Sequence, residues 1–84
     1  MYFAVTDVTP LSNYMLHLKF KNGEEKVFDM KPYLETGIFK DLKDENVFKT
    51  VKVNFDTVKW ANEADIDPET LYHESVVIGD SKIV

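Results

Sequence analysis

Between Tyr14 and Phe20 the side chains alternate, with Tyr14, Leu16, Leu18 and Phe20 on one side of an extended chain and Met15, His17 and Lys19 on the other. That period of two predicts a half-buried strand. Asn22-Gly23 follows, a pair that tolerates positive φ at both centres of a tight hairpin, and residues 25–29 supply the returning strand. Upstream, residues 3–9 alternate loosely and are rich in β-branched side chains, predicting a strand that ends at Pro10 and the turn-forming Ser12-Asn13. Downstream, Val51, Val53 and Phe55 alternate with Lys52 and Asn54. After a turn near Asp56, Val58-Lys59-Trp60 alternates again, which predicts a second hairpin.

Helical signals are short. Residues 31–35 read as one or two turns, with Pro32 near the start and Gly37 placed to end them in a left-handed conformation; Ile38, Phe39 and Leu42 then pack beneath the sheet. Asp44 precedes a second short helix that presents Val47 and Phe48 and leads to Val51. The clearest start is Asp67-Pro68, where the carboxylate caps free amides and proline fits the first helical position. The tail, Val76-Val77-Ile78 and Lys82-Ile83-Val84, is apolar but broken by Gly79-Asp80, and reads either as an edge strand or as a loose end. The expectation is one α+β domain over residues 1–84: a small antiparallel sheet of two hairpins and an N-terminal strand, with short helices packed on one face.

Composition narrows the picture. At 84 residues a single domain buries only roughly 60–65% of its unfolded surface, so a protein partner or a homodimer would add to its stability. Absence of cysteine excludes disulfides, thiolate metal sites and a cysteine nucleophile. No signal-peptide pattern follows Met1 and no apolar run is long enough to cross a bilayer, so a cytoplasmic location is expected. The net charge of -5 has the wrong sign for phosphate backbones, and all ten cations are lysine. Without arginine there is no planar fork to read guanine, so direct nucleic-acid binding is not expected.

Charge is also uneven. After Trp60 only Lys82 faces Glu63, Asp65, Asp67, Glu69, Glu74 and Asp80. The carboxylates between Glu63 and Glu69 could gather Ca²⁺ or Mg²⁺, but they lack the central glycine and terminal glutamate of an EF-hand loop. Capping by Asp67 and a favourable helix dipole for Glu69 account for them without an ion. His17 and His73 are the only histidines, one on the lysine-bearing face of a strand and one in the last turn of a helix, with no nucleophile pattern beside either. Ser12, Ser75 and Ser81 lack a glycine-flanked elbow, and Gly23, Gly37 and Gly79 are too dispersed to cradle phosphate. No catalytic, cofactor-binding or metal residue is assigned, and an enzyme is not expected. Trp60, Tyr72, Tyr33 and Phe39 read either as core or as an exposed aromatic patch; core is favoured for Trp60, while the Tyr72 hydroxyl needs a polar outlet.

The order Asn22-Gly23-Glu24, Val27-Phe28-Asp29, Gly37-Ile38-Phe39 with Leu42, Asp44 and Phe48, then Trp60 and Ala64-Asp65-Ile66-Asp67-Pro68-Glu69-Thr70-Leu71-Tyr72 resembles the bacterial domain-of-unknown-function 2442 family over about residues 3–72. The resemblance implies a compact α+β fold, found alone or joined to a helix-turn-helix domain. It also implies a suspected pairing of some members with a second small protein, as toxin and antitoxin. The family pattern carries glycine in the loop before Asp65 where this chain has Glu63. The chain ends at Val84 without room for a helix-turn-helix, so a DNA-binding role is not carried over. Two functions follow as expectations. One is a non-enzymatic, antitoxin-like interaction module that meets a cationic protein partner with Glu63, Asp65, Asp67, Glu69, Tyr72 and Glu74. The other is a ligand-sensing or regulatory module of the kind fused to DNA-binding domains.

Overall fold

The structure is a computed structural model that describes residues 2–77. Strands β1 (Val5–Leu11), β2 (Met15–Phe20), β3 (Glu25–Asp29) and β6 (Val76–Val77) form one antiparallel sheet in the order β1-β2-β3-β6. Strands β4 (Lys52–Asn54) and β5 (Thr57–Lys59) form a two-stranded sheet of their own. The helical elements are α1 (Glu45–Phe48), α2 (Pro68–Glu74) and, ahead of them in the chain, 3-10 turns at Ser12–Tyr14, Lys31–Tyr33 and Gly37–Lys43. The fold is α+β, as the hydrophobic pattern implies.

Alternation decides which sheet face is dry. Leu16, Leu18, Phe20, Phe28 and Met30 are buried on the inner side, where they meet Leu34, Leu42, Phe48, Trp60, Ile66 and Leu71 from the turns and helices. Pairing of Thr9 with His17, His17 with Val27 and Val27 with Val76 places these four on the opposite face. Both anticipated caps form: Asp44 accepts from the Asn46 amide at 2.9 Å, and Asp67 accepts from the Thr70 amide at 3.1 Å with Pro68 in the first turn. Trp60 belongs to the core at 1% exposure, and its indole N–H donates to the Phe48 carbonyl at 3.0 Å.

Several local expectations are corrected. β1 starts at Val5 rather than Phe3 and continues through Pro10 to Leu11, which is possible because β1 is the terminal strand of its sheet and Pro10 need donate no ladder bond outward. The first hairpin closes around Lys21 and Asn22, with positive φ only at the following Gly23 (φ 91°). Gly37, at φ 48°, opens the third 3-10 turn where a terminator of the preceding one is expected. Ile38 is exposed, because the three-residue period of that turn brings Phe39 and Leu42 inward and turns Ile38 out. Phe55 is 92% exposed, because Asn54 pairs with Thr57 and leaves Phe55 and Asp56 as the two turn residues. Of the tail, Val76-Val77 adds an edge strand against Lys26 and Val27, and the remainder from Ile78 lies outside the described residues.

Candidate functional site

The segment from Trp60 to Glu74 begins with a tight closure. The Glu63 amide donates to the Trp60 carbonyl at 3.0 Å and the Trp60 amide to the Ala64 carbonyl at 2.8 Å. Glu63 sits at φ 75°, a left-handed conformation in which an L side chain is disfavoured, and its carboxylate reaches Lys59 at 2.7 Å. That ion pair holds the Glu63 carboxyl below its usual range and the Lys59 ammonium above its own, each chiefly through the hydrogen bond between them. Beyond the turn the chain is extended, with Asp65 bridging antiparallel to Lys59. Period two then sorts the side chains: Ala64 and Ile66 are buried, while Glu63, Asp65 and Asp67 are exposed. Glu69 and Glu74 are exposed on α2.

The charge of the acidic face reaches the N-terminal segment. Tyr2 donates its hydroxyl to Asp56, and this bond holds the phenol above its ordinary value, with smaller upward contributions from partial burial and from the charges of Asp56, Glu69 and Asp67. Asp56 is thus tied to the N-terminal Tyr2, a contact for which a turn residue in a second hairpin gives no sequence signal.

Beside this face lies a surface recess of about 240 Å³ lined by Phe28, Tyr33, Phe39, Asp65, Ile66, Asp67 and Thr70. Phe28 and Ile66 are buried residues, whereas Tyr33 and Phe39 are half-buried. Tyr33 stacks on Phe28 with centroids 5.6 Å apart and meets Phe39 edge-on at 6.2 Å. A second recess, of about 220 Å³, is lined by Pro10, Leu11, Ser12, Tyr14, Glu45, Phe48 and Lys49.

The expected surface residues are not all in one place. Asp65 and Asp67 share the recess, and Glu63 precedes them on the turn. Tyr72 belongs to a different cluster: its hydroxyl donates to Glu24 and accepts from Asn22 at 3.4 Å, while its ring packs edge-on against Phe20 at 4.9 Å. Below it, buried Lys26 donates to the Tyr72 main-chain carbonyl at 2.8 Å, with its ammonium 3.6 Å from the ring centroid. The sequence signal for Lys26 is its position two residues before Phe28, which puts both on one face of β3. His17 lies 3.0 Å from Glu25 and His73 meets the Tyr72 ring at 5.3 Å, so each has its own surroundings. Among the described residues, no group of three or more His, Cys, Asp or Glu side chains is placed to hold a metal ion, and no helix is long and apolar enough to cross a membrane.

The model of a protein family of unknown function, DUF2442, matches residues 5–77. The chain belongs to the DUF2442 family. The match begins at the first residue of β1 and ends at the last of β6, so the DUF2442 unit coincides with both sheets and both helices. Within the matched span the loop before Asp65 places Glu63 in the left-handed region, a conformation glycine adopts without the Cβ penalty. No curated protein and no solved structure matches the chain.

Proposed function

We propose that this DUF2442 chain is a non-enzymatic protein–protein interaction module that meets a cationic partner with its acidic face, in the manner of an antitoxin-like subunit. One observation carries the reading: from the turn at Glu63 through the extended run to Asp67, every apolar side chain enters the core and every carboxylate faces outward, with exposed Glu69 following on α2. Such segregation raises the local potential and steers a positively charged surface toward the protein. Lys59, paired with Glu63, offsets only part of that charge. A ligand-sensing module is the less favoured reading, because Trp60 and Leu71 are fully buried in the core and the recess beside Asp65 and Asp67 opens at the surface instead of being enclosed by the fold.

The test is co-expression with the product of the neighbouring gene and calorimetric titration of the purified pair at low and high salt. Binding should weaken as salt screens the charges. It should also weaken at least tenfold in a triple variant, Glu63→Gln, Asp65→Asn and Glu69→Gln. A complex indifferent to both, or no complex at low salt, overturns the reading.

A further inference from the structure

The recess beside the acidic face has walls of two kinds. Tyr33 and Phe39 meet at an interplanar angle of 65°, forming an aromatic corner above Phe28 and Ile66, and Asp65 and Asp67 stand at its border. Aromatic faces carry negative charge and attract cations, more strongly where water is thinned out. Carboxylates do the same at longer range; no lysine or histidine lines the recess, and Lys59, across the bridge from Asp65, shares its charge with Glu63. A neutral apolar guest would leave the recess side of both carboxylates unmet, Lys59 lying across the bridge from Asp65 and outside the lining. A small hydrated cation would leave the rings without a partner. A group that is flat, cationic and weakly hydrated satisfies both sets of walls, and among protein side chains that describes the guanidinium of arginine.

We infer that the recess formed by Tyr33, Phe39, Asp65 and Asp67 is a receptor for a single arginine side chain of the partner protein. The guanidinium stacks on the Tyr33 ring while its N–H edges donate to Asp65 and Asp67, and Phe39 excludes water from the outer side. Both bonds from Thr70, its amide and its hydroxyl, fall on Asp67 Oδ2, which leaves Oδ1 with its lone pairs for this. The chain contains no arginine, so neither its own segments nor a second copy supplies the guest. This assignment rests on the reading of the acidic face as a partner surface and specifies what that partner must present.

The probes are Nα-acetyl-arginine-N-methylamide, its lysine counterpart and its citrulline counterpart, the last a neutral isostere of arginine, each titrated into the ¹⁵N-labelled full chain and followed by NMR. Arginine should saturate in the millimolar range, shifting the Asp65–Thr70 amides and the Tyr33 and Phe39 ring protons. Lysine should bind at least threefold more weakly and citrulline at least tenfold more weakly. Asp65→Asn, an exposed change, should reduce arginine binding several-fold, and Tyr33→Leu should reduce it further while the spectrum stays folded. If Tyr33→Leu does not fold, Asp65→Asn alone decides the matter. Citrulline equal to arginine, or lysine equal to arginine, overturns the guanidinium assignment. Arginine shifts confined to amides near Glu63, Glu69 and Glu74, with the ring protons unmoved, overturn the recess but leave the acidic-face reading intact. Absence of any cation-dependent shift removes both.

Discussion

Lys26 on β3 and Tyr72 on α2 are joined twice, by a 2.8 Å hydrogen bond from the ammonium to the Tyr72 carbonyl and by the placement of that ammonium 3.6 Å from the Tyr72 ring. The carbonyl lies in the last turn of α2, where the helix leaves acceptors without internal partners. A buried cation there also suits the negative end of the helix. Lys26→Met keeps the aliphatic stem and removes the charge. It should destabilise the domain by about 1.5–3 kcal/mol, the range for a hydrogen bond to a charged group. The urea midpoint measures this; an unchanged midpoint would show that the contact does not hold α2 to the sheet.

Trp60 is the second test of the core. Trp60→Ala removes the largest fully buried side chain and should cost about 3–5 kcal/mol, enough to unfold much of the population of a domain this small. Trp60→Phe retains most of the packing but leaves the Phe48 carbonyl without its indole donor, a loss of about 1–3 kcal/mol. Circular dichroism during thermal melting distinguishes the two, and a normally folded Trp60→Ala protein would contradict the assignment of Trp60 to the core.

Two turn residues should respond in the opposite direction. Phe55 holds φ 57° with its side chain 92% in solvent, so it incurs the left-handed penalty and gains little from burial. Phe55→Gly or Phe55→Asn should stabilise by about 0.5–1 kcal/mol and raise Tm by several degrees. Glu63→Gly, at φ 75°, should move Tm the same way by less, because the variant gives up the contact with Lys59. A fall in Tm for both Phe55 variants would show that the side chain makes a stabilising contact after all.

Stability should fall at both ends of the pH scale for separate reasons. Glu24 is held below its usual range by the Asn22 amide and then the Tyr72 hydroxyl, and Glu35 by Lys43. For Asp29, burial pushes upward but the Lys31 amide and ammonium outweigh it. Groups lowered in the folded state contribute stability that is complete above their unfolded values, about 4, and is lost as pH falls through the folded ones. Tyr72 and Tyr2 are raised, chiefly by hydrogen bonds to Glu24 and Asp56, so their contribution is complete below about pH 10 and is lost as pH rises beyond it. Tm measured from pH 3 to 11 should show both limbs, with Glu24→Gln flattening the acid one and Tyr72→Phe the alkaline one. Alkaline limbs of equal depth in Tyr72→Phe and the parent would remove Tyr72 from the account.

Local order was readable in the chain and long-range order was not. Period two along Leu16, Leu18 and Phe20 and the capping residues Asp44 and Asp67 report on neighbours within a few positions, so β2, α1 and α2 were legible. The alternation that ends in Phe55 misled because it runs one residue past the last ladder pair, and nothing in a period marks where pairing stops. Ile38, Phe39 and Leu42 were misplaced in part because a three-residue period differs from both templates. The candidate recess draws on β3, two 3-10 turns and the lead into α2, so its walls come together only through the packing of the sheet against everything else. Of its members, Asp65 and Asp67 stood out as charge; Tyr33 and Phe39 stood out as aromatics without a location.

The closure at Trp60–Ala64 repeats the one at Phe20–Glu24. In each, the fourth residue donates to the first carbonyl, the first amide donates to the fifth carbonyl, and an asparagine side chain accepts from the fifth amide at 3.1 Å. Gly23 and Glu63 occupy equivalent sites in these clasps, both with φ above +70°. The two pentapeptides are thus interchangeable parts in geometric terms: grafting Lys21-Asn22-Gly23 in place of Ala61-Asn62-Glu63 would install a relaxed joint at the threshold of the acidic segment without altering its course, separating the shape of that segment from the charge it carries.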